Sequence, residues 1–214
     1  MMENLNHKIC IVFDFGGVLL DWNPRHLYRK IFKGDEEAME RFLEEIHFME
    51  WNMQQDAGRP FAEAVEVHCQ QYPQHCDLIR AYHDRWKESI SGPLQPVVEI
   101  LFNLKESGYP LVGLSNWADE TFQQVRHQYE FMDWFEDIII SGAVKLVKPD
   151  ERIFELLLDR IQRPAERCVL IDDSRANIKV AQQLGMQTIH FQSPEQLLDE
   201  LGEMGIPIKI DSSK

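Results

Sequence analysis

The chain has 214 residues, 44% of them apolar and 27% charged, an ordinary globular composition that excludes a disordered or fibrous protein. At ~150 residues per domain the length allows one domain or two, and a chain this long buries ~70–75% of its unfolded surface without a disulfide or metal staple. Lys and Arg total 22 against 36 Asp and Glu, a formal net charge of -14, which argues against a nucleic-acid partner or an anionic membrane surface because both attract the opposite sign.

The opening MMENLNHK is polar with no apolar stretch after it, so no signal peptide is expected. No run approaches the ~18 apolar residues of a membrane span. Residues 9–13 (ICIVF) are apolar without interruption and break at Asp14 and Gly16-Gly17, the pattern of a strand buried on both faces of a parallel sheet. From Pro24 to about Ile90 there is no such run. The segments RHLYRKIF, AMERFLEEIHFM, FAEAVEVHCQQY and DLIRAYHDRWKESI carry helical spacing instead.

After this insert a regular alternation begins. Helical patterns at 96–107, 119–129, 150–161 and 175–184 separate strand-like runs at 110–114 (PLVGL), 137–140 (DIII), 168–171 (CVLI) and 187–191 (QTIHF). Such alternation predicts an α/β fold, a doubly wound, Rossmann-like parallel sheet. Roughly seventy residues are too many for a simple crossover. A helical cap domain over residues 21–90 is therefore expected, inserted into a core of residues 1–20 and 91–214, with hinges near 20–23 and 91–96. Apart from the polar tail DSSK there is no low-complexity tract.

Chemistry-bearing residues fall at or just past the ends of these strands: Asp14, Ser115-Asn116, Lys148 and Asp172-Asp173. In a doubly wound sheet, ligands bind outside the carboxyl ends of the strands, so residues more than 150 positions apart converge there. Each group has a plain structural reading as well. An Asp after a strand or a Ser-Asn pair before a helix caps turns and helices, and Lys-Pro occurs in solvated loops. The adjacent Asp172-Asp173 pair is harder to dismiss, since neighbouring carboxylates repel unless a cation or water separates them.

In FDFGGVL, LSNW, the lysine of KPDERIF, and IDDSRANIKVAQQLGM, in that order over residues 9 to about 191, the chain resembles the haloacid dehalogenase-like hydrolase superfamily. The place of the insert is similar to the cap type between the first and second motifs, and QQDAGRPF resembles an acidic-x-Gly cap loop of relatives acting on sugar phosphates. The resemblance implies an enzyme, a Mg²⁺-dependent phosphatase acting on a small phosphorylated metabolite, with a sugar phosphate as the leading class. Asp14 is the implied nucleophile, forming an aspartyl-phosphate. Asp14, the carbonyl of Gly16 and Asp173 are the implied Mg²⁺ ligands, with Asp172 a ligand or a partner through water. Lys148 would neutralise a phosphate oxygen. The Ser115 hydroxyl and the Phe15 and Asn116 amides would bind the others. A cytoplasmic monomer or homodimer is expected.

One position departs from the family pattern. Phosphatases of this family usually carry a second Asp two residues after the nucleophile, as acid and base for the leaving oxygen and water, and here that position is Gly16. Such help is worth ~10²–10⁴-fold in rate. Asp21, Asp56 or a cap histidine are the candidate replacements, though each reads more readily as a hinge or surface residue. Two alternatives therefore stand beside the phosphatase: a 2-haloacid dehalogenase-type hydrolase on the same fold, and a catalytically weakened binding or regulatory protein. A phosphorylatable receiver domain fits poorly, because its acidic pair precedes the phosphorylated Asp and it has no helical cap.

Four cysteines, Cys10, Cys69, Cys76 and Cys168, are too few and scattered for a disulfide framework, and Cys10 and Cys168 sit in apolar runs as core filler. HCQQYPQHC repeats His-Cys (His68-Cys69, His75-Cys76) at a spacing that suits zinc on an unbroken helix, but Pro73 interrupts it. Trp22, Trp51, Trp86, Trp117 and Trp134 read as core or domain-contact residues. Trp51, Asn52 and Gln55 shape either a pocket or ordinary packing. Arg25 and Arg59 read as snorkelling surface residues or as contacts to a substrate anion.

Overall fold

The computed structural model describes residues 8–208, and both the opening MMENLNH and the DSSK tail lie outside the described residues. The chain enters through β1 (Cys10–Phe13) and β2 (Leu20–Trp22). Five helices follow: α1 (Pro24–Ile31), α2 (Glu36–Glu45), α3 (Phe48–Asp56), α4 (Phe61–Gln71) and α5 (Cys76–Asp84). β3 (Ile90–Pro93), α6 (Gln95–Glu106), β4 (Leu111–Ser115), α7 (Asp119–Val125), β5 (Asp137–Ile140) and the one-turn α8 (Ser141–Val144) come next. α9 (Glu151–Ile161), β6 (Cys168–Asp172), α10 (Arg175–Gln183), β7 (Gln187–His190) and α11 (Pro194–Glu203) complete the fold.

Five strands form one parallel sheet in the order β5-β4-β1-β6-β7. Every residue of β1 is buried, because helices cover both faces of the sheet. Ile11 and Phe13 point into one packed cluster and Cys10 and Val12 into the other, as the two-residue period of a strand dictates. The chain winds outward from β1 in both directions, through β4 to β5 and through β6 to β7. The carboxyl end of β1 is therefore the topological switch point, the place where such sheets bind ligands.

Local signals start the helices. Asn23, Asp35, Asp150 and Ser193 each accept a backbone N–H at a helix start, and Pro24 and Pro194 occupy first-turn positions where no hydrogen bond is lost. The helical pattern expected over 119–129 ends earlier, at Val125, and continues as 3₁₀ turns.

The insert between β2 and β3 is helical, as its patterning predicts, and its core is aromatic. Tyr28, Phe42, Phe48, Trp51, Phe61 and Tyr82 are buried together, with Phe48 edge-on to Tyr82 at 4.8 Å between centroids. This cluster is continuous with the sheet face that holds Ile11, Phe13 and Phe15. The segments expected to be hinges lie side by side: β2 and β3 pair as an antiparallel ribbon, Leu20 opposite Pro93 and Trp22 opposite Ile90. The chain leaves and re-enters the sheet region at adjacent points, so the two crossings lie side by side and satisfy each other's backbone groups.

Cys10 and Cys168 are buried neighbours on paired strands, free as thiols. Cys69 and Cys76, which carry no pairing expectation in the sequence, form a single disulfide. Pro73 stops the helix as expected, and the short 3₁₀ turn Pro73–His75 that follows folds the end of α4 against the start of α5. The two thiols thereby meet although they lie in different helices.

Candidate active site

Asp14 follows the last residue of β1, where the backbone turns out of the sheet. Its N–H donates to the Ile171 carbonyl (2.9 Å), and its Oδ1 accepts from the Phe15 amide (2.7 Å). Lys148 reaches the same point from the loop after α8. Its Nζ donates to Asp172 Oδ2 (2.7 Å) and the Leu114 carbonyl (2.8 Å), and lies 3.0 Å from Asp14 Oδ2. Asn116 fixes that loop from both sides: its Oδ1 accepts from the Lys148 backbone N–H and its Nδ2 donates to the Lys148 carbonyl, each at 2.8 Å.

Asp172, the last residue of β6, is wholly buried. Its carboxylate accepts from Lys148, from Asn177 Nδ2 at 2.9 and 3.0 Å, and from the Ser174 amide at 2.8 Å. This set of donors makes it the group that holds Lys148 in place. Asp173 is more exposed and faces the loop after β1. A Cβ on Gly17 would lie 2.5 Å from Asp173 Oδ2, and Gly17 has a φ of +76°, so glycine's freedom is what lets the first loop close on the last.

One oxygen from each of Asp14, Asp172 and Asp173 can lie within 4.8 Å of the others. Three carboxylates thus face a single ammonium, leaving two negative charges without a counterion. Burial pushes the Asp14 carboxyl up to about 7, opposed by Lys148 and reinforced by Asp172. Asp173 is raised as well, by burial and by its neighbour Asp172. Burial alone would lower Lys148, yet Asp14 and Asp172 outweigh it and hold the ammonium above its ordinary value. The cluster is a place that calls for cationic charge.

A pocket opens beside this cluster, with about 400 Å³ of empty space counted to its mouth. Gly16, Ser115 and Asn116 form its floor, Trp22, Trp86 and Trp117 much of its wall, and Asn52, Asp56 and Tyr82 the side contributed by α3 and α5. The loop after α3 is seated on the sheet domain. Ser141 Oγ donates to the Asp56 carbonyl (2.6 Å), the Phe61 amide donates to Glu120 (3.3 Å), and a Cβ on Gly58 (φ +96°) would meet the Gly142 carbonyl at 2.9 Å.

Of the residues singled out from sequence, Asp14, Lys148, Asp172 and Asp173 come together, with Gly16, Ser115 and Asn116 on the adjoining pocket floor. Phe15 contributes its amide to Asp14, while its ring is buried against Trp117, Phe122 and Phe135. Asn52 lines the pocket, whereas Trp51 stacks on His68 and Gln55 bonds the Trp51 carbonyl. Trp22, Trp86 and Trp117 face the pocket rather than serving only as packing.

Other candidates lie elsewhere. Asp21 pairs with His26 at the surface, as read. Arg25 pairs with Glu40 and Arg59 with Gln54 and Glu63. The two His-Cys pairs form no metal site: the cysteines are bonded together, His68 Nε2 donates to the Ile46 carbonyl (2.9 Å), and His75 pairs with Glu45. Asp56 corrects the sequence reading, which placed it at a hinge or the surface. Asn52 Nδ2 donates to its Oδ2 (3.1 Å) and the Ala118 backbone donates to the carboxyl, whose value burial lifts to about 7. The signal for it was the acidic-x-Gly spacing ahead of Gly58. Tyr82, whose hydroxyl donates to Asn52 Oδ1 (3.0 Å), carried no signal beyond helical patterning.

Comparison with known proteins agrees with this geometry. The sequence model of the haloacid dehalogenase-like hydrolase family matches residues 10–185. Bifunctional epoxide hydrolase 2 of Sus scrofa is 27% identical over 89% of this chain, though the match spans only 37% of that longer protein. A phosphorylated carbohydrates phosphatase of Thermotoga maritima is 25% identical over 85% of this chain and 83% of its own length. Among solved structures, a haloacid dehalogenase family enzyme of Bacteroides thetaiotaomicron, in complex with magnesium and inorganic phosphate, superposes with a TM-score of 0.65 at 25% identity, covering 86% of this chain and 94% of that one.

Proposed function

Because the chain belongs to the haloacid dehalogenase-like hydrolase family, we propose that this hydrolase is a Mg²⁺-dependent phosphatase that cleaves a small phosphorylated metabolite through an aspartyl-phosphate at Asp14. The observation that carries this reading is Lys148 shared between Asp14 and Asp172 beside Asp173. An oxygen-only donor set with three carboxyls around one ammonium suits a hard divalent cation, and the pocket floor at Gly16, Ser115 and Asn116 adjoins it. Asp14, Asp173 and the Gly16 carbonyl would hold the ion, with Asp172 acting through water or through Lys148. A bound Mg²⁺ would supply the positive charge that lets a carboxylate approach a phosphate dianion.

The remaining chemistry belongs to the chain. An Asp14 carboxylate oxygen attacks phosphorus and the bond to the ester oxygen breaks. Water then attacks the phosphorus of the aspartyl-phosphate, releasing phosphate and restoring Asp14. Lys148, already desolvated and aimed at Asp14, stabilises charge on the transferring group without reorganising. The Ser115 hydroxyl and the Asn116 and Phe15 amides take the other phosphate oxygens.

A sugar phosphate is the substrate class that the pocket favours. Three tryptophans offer flat apolar faces to a ring's C–H surface, while Asn52, Asp56 and Asn116 offer hydrogen bonds to hydroxyls. The Thermotoga maritima relative is a phosphorylated carbohydrates phosphatase, which supports the same class. We assign residues 21–90 as the cap that covers the site and residues 1–20 and 91–214 as the catalytic core. The dehalogenase alternative draws on Gly16, but attack on a carbon–halogen bond gives no reason for the charge excess around Asp173. Released phosphate from a panel of sugar and other phosphate esters, with Mg²⁺ and with EDTA, tests the reading. Turnover with Mg²⁺ and silence in EDTA are expected. Halide release from a 2-haloacid in EDTA would replace phosphatase by dehalogenase, and ligand binding without any turnover would leave a binding protein.

A further inference from the structure

An ester oxygen leaving phosphorus needs a proton unless it is a very weak base, and the loop after β1 provides none. Gly16, which lines the pocket, has no side chain, and a Cβ built there meets nothing within 4 Å. Lys148 is committed to two carboxylates and a carbonyl. Tyr82 donates its hydroxyl to Asn52, and burial raises that phenol well above its usual value. One carboxyl on the opposite side of the pocket remains.

Resting on the phosphatase reading above, we propose that Asp56, presented by the end of α3, is the catalytic acid and base that Gly16 cannot be. Its geometry suits the task. The Ser141 bond to its carbonyl and the close approach of Gly58 to Gly142 pin the backbone on the sheet domain. The Asn52 amide and the Ala118 backbone orient the carboxyl, and Tyr82 fixes Asn52 in turn. Burial, with a contribution from the charge of Asp14, lifts this carboxyl to about 7, so both protonation states are accessible near neutrality, as a general acid requires. Asp14 on the sheet side and Tyr82 beside it on α5 are the ionisable groups coupled to it. The groups bonded to it from α3, α8 and the Ala118 loop are neutral.

In the first half-reaction the P–O bond breaks as Asp56 gives its proton to the ester oxygen, releasing a neutral alcohol. In the second, the Asp56 carboxylate takes a proton from the water that attacks the aspartyl-phosphate. The proton count is thus restored after each turnover, with no other reactant required.

The experiment compares wild type, Asp56→Asn and the double variant Asp56→Asn/Gly16→Asp on an alkyl phosphate and on p-nitrophenyl phosphate, whose leaving group needs no proton. For Asp56→Asn, kcat on the alkyl ester is expected to fall by ~10²–10⁴-fold with KM little changed. On p-nitrophenyl phosphate the same variant is expected to release one equivalent of nitrophenolate in a burst and then stall as the phosphoenzyme. The open space at Gly16 allows the added Asp to restore alkyl-ester turnover at least ~10-fold. A change in KM alone, equal loss on both esters without a burst, or no rescue in a variant that melts like wild type would each overturn the role of Asp56. Asp56→Asn with wild-type turnover would overturn it while leaving the phosphatase standing. A wild type inactive on every phosphate ester would overturn both.

Discussion

The two sides of the pocket are built on different principles. On the sheet side, Asp14, Lys148 and Asp172 come from the end of β1, the loop after α8 and the end of β6, yet they hold one another in ion pairs of 2.7 and 3.0 Å. On the cap side, Asn52, Asp56 and Tyr82 hang from α3 and α5 and are tied to an aromatic cluster by neutral hydrogen bonds. The first side is fixed by strand ends and carries uncompensated charge, whereas the second keeps its shape by packing and by a loop seated on Ser141. Charge is thus placed by the strand ends and shape by the insert.

Asp14→Asn is the severest test of the sheet side. Phosphate release is expected to drop by on the order of 10⁴–10⁶-fold with an unchanged melting transition, and retained turnover would remove Asp14 from the chemistry. Lys148→Met leaves Asp14 and Asp172 buried without their cation. Denaturant unfolding is expected to show a loss of ~3–5 kcal/mol, smaller at pH 5 than at pH 8 because protonation relieves the repulsion. An equal loss at both pH values would mean that packing of the lysine stem, and not charge, holds this side together.

Titration joins the two sides. Asp14 and Asp56 are both lifted to about 7 in the fold, against ~3.9 in the unfolded chain. Between these values the native state binds more protons at these two groups than the unfolded one, so the stability they contribute is fullest below ~4 and is lost as pH rises through ~7. Melting midpoints in chelator are therefore expected to fall from pH 5 to pH 8, and Asp56→Asn should flatten part of that slope. Asn52→Ala is expected to have the smallest effect. It breaks the chain from Tyr82 to Asp56, at about 1 kcal/mol in thermal stability and a few-fold in KM, with Lys148 and Asp14 undisturbed.

Particular residues show what could be read without coordinates. The sheet side was legible because Asp14 and Asp172 each end an unbroken apolar run, and a parallel sheet necessarily aligns such ends. The helix starts at Asn23-Pro24 and Asp150 were equally local. Asp56 has only the short acidic-x-Gly signal, since nothing within its own segment shows that the loop through Gly58 comes to rest against Gly142. The Cys69–Cys76 bond needed the fold of the turn at Pro73, and the ribbon of β2 with β3 needed two segments about seventy residues apart to meet.

The amino-acid order by itself determined the α/β alternation, the helical nature of the insert, and which acidic and basic residues gather at the carboxyl edge of the sheet. These follow from hydrophobic period and from the polarity of strands, which are properties of short stretches of chain. Folding in three dimensions alone decided that Lys148 is shared by two carboxylates, that tryptophans from both parts of the molecule wall the pocket, and that Asp56 lies inside it. Burial and pairing depend on which distant surfaces come into contact, and that contact sets the charge and proton affinity of each group.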